Sequence, residues 1–149
     1  MNSASGVNPS IAYPMAMALS ELVDAWLHYQ RERDAASFWA VDHVMLATAP
    51  RADPEQAWAI VRALFDAAPD DLLGAVAAGP LENVLTYHTP LVIDDVETMA
   101  RRDPRFRRVL GKVWLTTGAV PRDLETRLIR ASNGVLRPFP NPRGQRRHG

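Results

Sequence analysis

Cysteine is absent from the chain. That excludes disulfides, thiolate catalysis and cysteine-bound zinc, and it fits a reducing cytoplasm. Long apolar runs are absent too: none approaches the roughly 18 residues of a membrane-spanning helix, so no membrane partner is expected. The first fifteen residues hold no Lys or Arg, and the apolar stretch Met15–Leu19 is too short for the core of a secretory signal. Lysine occurs once, as Lys112, against sixteen arginines, a bias we read as genome composition. There is no Gly-rich phosphate loop, no G-x-S-x-G and little serine in the apolar segments. The sequence therefore offers no nucleophile–base pair and calls for no cofactor.

What is present suits a globular protein. At 149 residues, 47% hydrophobic and 23% charged, the chain is one domain by size and long enough to bury a core. The net charge is zero, yet residues 21–97 carry 14 acids against 4 bases and residues 101–149 carry 13 bases against 3 acids. The two parts can neutralise each other within the fold or in a homo-oligomer; a polyanion partner for the basic part is the alternative. The first reading is preferred, because aromatic residues are not regularly interleaved with the arginines as single-strand binders require.

Apolar residues recur at helical spacing along most of the chain. Leu19, Leu22, Val23 and Trp26 predict a helix over 15–33, and Phe38, Trp39, Val41, Val44, Met45 and Leu46 a second over 36–49. Asp53-Pro54 is a helix start, an Asp cap followed by proline at the first helical position, with Gln56 placed for a capping box. Thr89-Pro90 and Asp103-Pro104 repeat the device. In Ala77-Ala78-Gly79-Pro80-Leu81-Glu82, Gly79 is expected to end one helix and Pro80 to begin the next. Phe106, Val109, Leu110, Val113 and Trp114 read as one helical stripe, with Arg105 and Arg108 facing solvent. A last helix opens at Pro121 and closes at Asn133-Gly134. The fold expected is all-α: a compact bundle of about seven short helices packed as helical hairpins, HEAT-like in style but with no true repeat period. The domain is expected over 15–134, flanked by disordered segments at 1–14 and 135–149.

Phe38-Trp39-Ala40 with Asp42, Pro54-Glu55 with Trp58, the string Ala77 to Glu82, His88, Asp103-Pro104 with Phe106, and Val113-Trp114 occur in an order that resembles an uncharacterised family of small bacterial all-helical domains. The central string is the most specific part, and Trp39, Trp58, Gly79, Pro80, Leu81, Glu82 and Trp114 form the structural motif. The resemblance implies a fold type and no activity.

Each candidate for chemistry has a structural reading beside it. Glu82, three residues after Gly79, is placed to cap the amide of a helix start; as an active-site acid it would need a partner such as His88 or Asp42. His88 is expected near a helix C-terminus, bonding its last carbonyls. Asp24 and His28, four apart on the first helix, could hold a metal or form a surface pair. Asp94, Asp95 and Glu97 read as acids at a helix start, and the four tryptophans as core. The function expected is a non-catalytic helical domain that binds another protein or itself. The alternatives are an enzyme with Glu82 and His88 in a cleft, and weak nucleic-acid binding through the basic C-terminal part.

Overall fold

The computed structural model describes residues 15–140, with side chains from Leu19 onward. The expectations for residues 1–14 and 141–149 lie outside the described residues. Helix α1 spans Met15–Glu32, α2 Phe38–Ala47, α3 Pro54–Ala67, α4 Leu73–Val76, α5 Glu82–Arg102, α6 Pro104–Leu110 and α7 Arg122–Ala131. Short 3-10 turns at Ala35–Ser37 and Asp70–Leu72 lead into α2 and α4.

The proline-marked starts form where they stand at a chain turn. The Asp53 carboxylate accepts from Gln56 N at 3.1 Å, and that of Asp103 accepts from Arg105 N at 2.9 Å. At the far end of α7, Asn133 and Gly134 take φ of 58° and 79°, and Gly134 N donates to Ile129 O at 2.8 Å. This left-handed turn satisfies carbonyls that the helix leaves open.

Two expected breaks are not breaks. Ala77–Leu81 is a π-helical turn joining α4 to α5 without interruption, so the described residues form six helical rods instead of about seven. Gly79 has no positive φ, and a Cβ built on it meets nothing within 4 Å; neither strain nor crowding demands glycine there. A proline cannot donate to the carbonyl four residues back and clashes with it, and a π turn widens the helix where that happens. Pro90 likewise sits inside α5. An interior proline costs about 3 kcal/mol. Leu85, His88, Val92, Ile93 and Val96 nevertheless form one buried face running past it, and each fully buried aliphatic contributes about 1.5–3 kcal/mol. The continuous face wins.

Helix α5 is the axis of the bundle, packing on α3, α6 and α7, while α1 packs on α2 and α3. The core runs through Trp26, Trp58, Leu64, Phe65, Leu81, Leu85, Val96, Phe106 and Leu128, all buried. Phe106 packs edge-on against Phe65 at 5.3 Å and Trp58 at 6.1 Å between ring centroids. Arg105 does not face open solvent: it donates to Asp70 Oδ1 at 2.9 Å, to Phe65 O at 3.0 Å and to Ala68 O, with its guanidinium over the Phe65 ring. It thereby caps α3 from α6.

Past α6 and a turn at Gly111 and Lys112 the chain is extended. Val113 and Leu115 are buried while Lys112, Trp114 and Thr116 are exposed, an alternation with period two. The helical stripe thus ends at Leu110. Val135–Pro140, part of the expected tail, packs on the domain. Leu136 is fully buried, Phe139 N donates to Leu115 O at 2.8 Å, and Thr117 N donates to Phe139 O at 2.7 Å.

Candidate functional site

The end of α2 is fastened to α5. Thr48, the C-cap of α2, is fully buried; its hydroxyl donates to Val44 O at 2.8 Å and accepts from Asn83 Nδ2 at 3.1 Å. One turn further on, His88 is buried with Nε2 2.9 Å from Ala49 O. A carbonyl only accepts, so Nε2 carries the proton. His88 therefore lies in mid-helix, not at its own helix end, and holds a carbonyl beyond α2.

Beside this junction, α1, α2, the π turn and α5 border an open, mostly apolar cleft of about 340 Å3. Trp26, Val41, Val44, Met45 and Pro80 line it, with Gln30, Arg33 and Asn83 as its polar groups. Further apolar side chains are exposed on the two helices that border the cleft. Phe38, Trp39, Met45 and Leu46 are 42%, 46%, 58% and 74% exposed on α2, and Tyr87 and Leu91 are 47% and 73% exposed on α5. Helix α2 is apolar on nearly every side yet buries only Ala40 and Val44. An all-round apolar helix is ordinarily an interior one. Two of the tryptophans expected in the core, Trp39 and Trp114, are instead on the surface, while Trp26 and Trp58 are buried. The Trp58 indole N–H has no hydrogen-bond partner among the described residues.

Among the described residues, no hydrogen bond or ion pair joins Glu82, His88 and Asp42. Glu82 and His88 stand six residues apart on one helix, about 240° around its axis, and Asp42 is exposed on α2. Glu82 caps no helix start, because the helix does not start there. Half-buried, its carboxyl is pushed above the ordinary carboxylate range by desolvation. Asp24 and His28 line a shallow cleft of about 270 Å3 with Arg31 and Glu32, and His28 Nε2 approaches Asp34 Oδ2 at 3.5 Å. No group of three or more His, Asp or Glu among the described residues is placed to hold a metal ion. Asp94 and Glu97 lie within α5 instead of opening a helix, and both grip Arg127, at 2.8 Å and 2.6 Å.

The raised Glu82 titration has a measurable consequence. Between its unfolded and folded pKa the native state binds more protons than the unfolded chain, so this group's contribution to stability falls as pH rises through that window. Glu82→Gln is thus expected to be more favourable relative to the parent at about pH 7 than at about pH 3.5, compared by urea midpoints. A difference between the two proteins that does not change with pH would show that burial of the charge is not what Glu82 experiences.

The profile of a family of unknown function, DUF6869, matches residues 28–134. The chain belongs to this family. No curated protein and no solved structure matches the chain. The DUF6869 region takes in the α2–α5 junction, the π turn and Trp39, Trp58 and Trp114, and it ends at Gly134 in the left-handed turn that closes α7. No helix among the described residues is long and apolar enough to cross a membrane. Thr48 and Asn83 were missed by sequence reasoning, and Arg105 was expected in solvent. Their partners are 35 to 40 residues away, and no local pattern signals such pairs.

Proposed function

We propose that the protein is a non-catalytic interaction domain that docks a partner protein on the apolar face formed by α2 and the adjoining turns of α5. The observation that carries this reading is the exposure of Phe38, Trp39, Met45 and Leu46 on α2 and of Tyr87 and Leu91 on α5, with Met45 lining the open cleft between the two helices. Soluble proteins rarely leave contiguous apolar surface of this kind uncovered unless it binds something, and aromatic and Met side chains are those enriched at interface centres. The side chains that lock α2 to α5 (Thr48, Asn83 and His88) hold the face in one shape, which lowers the entropy lost on docking. A second copy of the chain is the simplest partner, since a two-fold contact lets one patch cover itself.

Light scattering of the purified chain at about 100 μM, together with affinity capture from its native extract, tests this reading. The expected result is a dimer, or a stoichiometric partner, that is lost in Leu46→Glu/Leu91→Glu. Both side chains are largely exposed, so the double variant should shift stability by no more than about 1 kcal/mol and lose binding without unfolding. A monomer with no partner sensitive to these substitutions would remove the reading.

A further inference from the structure

The basic part of the chain is only partly neutralised by the acidic part. Among the described residues, the ion pairs that cross between them are Arg105 with Asp70, and Arg127 with Asp94 and Glu97. Two adjoining clefts between α6 and the end of α7, of about 540 and 550 Å3, share Arg107 and Asn133 as lining. Arg101, Arg107, Arg108, Lys112 and Arg130 border them. The acids on the same lining are Asp70 and Glu97, which Arg105 and Arg127 already occupy. Arg107 donates through Nε to Ala100 O, and Arg101 donates to Thr98. None of the five has a carboxylate within ion-pair distance among the described residues. The groove therefore presents five cations without a close ion pair; Arg101 and Arg130 act on Glu97 only at longer range, beside the Arg127 that grips it.

The groove runs toward an exposed aromatic pair. At its edge Gly111 meets Val135, so closely that a Cβ on Gly111 would lie 2.7 Å from Val135 Cγ1. From there both segments continue extended and are bridged in parallel at Thr116 and Phe139. Trp114, 68% exposed, and Phe139, 45% exposed, lie with ring centroids 5.0 Å apart. Lys112 and Arg137, each two residues before one of these rings, are exposed as well. An extended chain puts residues two apart on the same side, which sets Arg137 on the side of Phe139, while Lys112 stands in the turn that leads to Trp114. The ring that the sequence sets between arginines, Phe106, is buried. The fold supplies exposed ones by laying 135–140 alongside 113–117.

We propose that this groove binds single-stranded nucleic acid, with phosphates on Arg101, Arg107, Arg108, Lys112 and Arg130 and a base on the Trp114–Phe139 surface. A continuous positive groove beside exposed rings is the pairing that sequence-tolerant strand binders use: cations track the backbone while any base can stack. An acidic protein segment would use the cations but not the rings, and a duplex keeps its bases inside.

Fluorescence anisotropy of the full chain with labelled oligo-dT and oligo-U of about 12 nucleotides, and with the corresponding duplex, tests this. With about five phosphates neutralised, log Kd should change with log salt by about 3.5, so affinity falls about 100-fold from 50 to 200 mM salt. Both single strands are expected to bind more tightly than the duplex. Arg108→Ala/Lys112→Ala/Arg130→Ala should lower the salt slope by about 2. Trp114→Ala should weaken binding about tenfold without changing the slope, and Trp114→Tyr should recover most of the loss. No binding at 50 mM salt overturns the proposal, as does equal affinity for duplex or for heparin. Binding indifferent to the triple variant places the cations elsewhere and overturns it too; binding indifferent to Trp114→Ala overturns the stacking surface.

Discussion

Replacing Phe106 by alanine is expected to remove about 3–5 kcal/mol of folding stability. The side chain is 1% exposed and stands where α6 closes on α3, edge-on to both Phe65 and Trp58. Truncation would forfeit the transfer of the ring from water, leave a cavity walled by two other rings, and remove two aromatic edge contacts. Stabilities of small domains are about 5–15 kcal/mol, so the loss is a large fraction of the total and should lower the midpoint of thermal unfolding by roughly 10 °C. Trp114→Ala is the control. That ring is larger but 68% exposed, and its removal should cost only about 1 kcal/mol. Urea denaturation of both variants decides the matter. If the two losses come out alike, the partition of aromatics between core and surface described above is wrong.

Leu136→Ala is expected to cost about 2–5 kcal/mol, although the residue lies in an Arg- and Pro-rich stretch that reads as a tail. Leu136 is fully buried, and its amide donates to Ser132 Oγ at 2.9 Å just beyond the α7 turn. Its loss should release 135–140 from the 113–117 segment, and with it Phe139 from Trp114. Stability and single-strand binding would then fall together. Arg137→Ala, at an exposed neighbour, should leave stability within about 0.5 kcal/mol. A Leu136→Ala protein as stable as its parent would mean that the segment does not dock.

How much of this was legible depended on the range of the interaction involved. The Asp53-Pro54 and Asp103-Pro104 starts and the Asn133-Gly134 stop are set by hydrogen bonds over two to five residues, and they stand where the sequence puts them. Thr89-Pro90 carries the same local signal and fails, because the buried face crossing it makes one long helix cheaper than two short ones. The string Ala77 to Glu82 misleads for the same reason: it marks a π turn within a rod, and Glu82 loses the cap that would have explained it. Trp39 and Trp114 illustrate the converse limit. Helical or alternating spacing places a ring on one side of an element, but whether another element covers that side is a property of the assembled bundle.

The sequence by itself determined an all-helical, cysteine-free domain, most of its helix starts and stops, and the separation of negative from positive charge along the chain. These follow from composition and from contacts within a turn or two. Only the tertiary structure decided that α5 passes unbroken through two expected boundaries, that Thr48, Asn83 and His88 lock α2 in place, and that α2 keeps its aromatic side outward. It also gathered five cations along the two clefts between α6 and α7 and paired Trp114 with Phe139. Each of these depends on residues distant in the chain meeting in space, and the free energy that selects among such meetings is that of burying one continuous core.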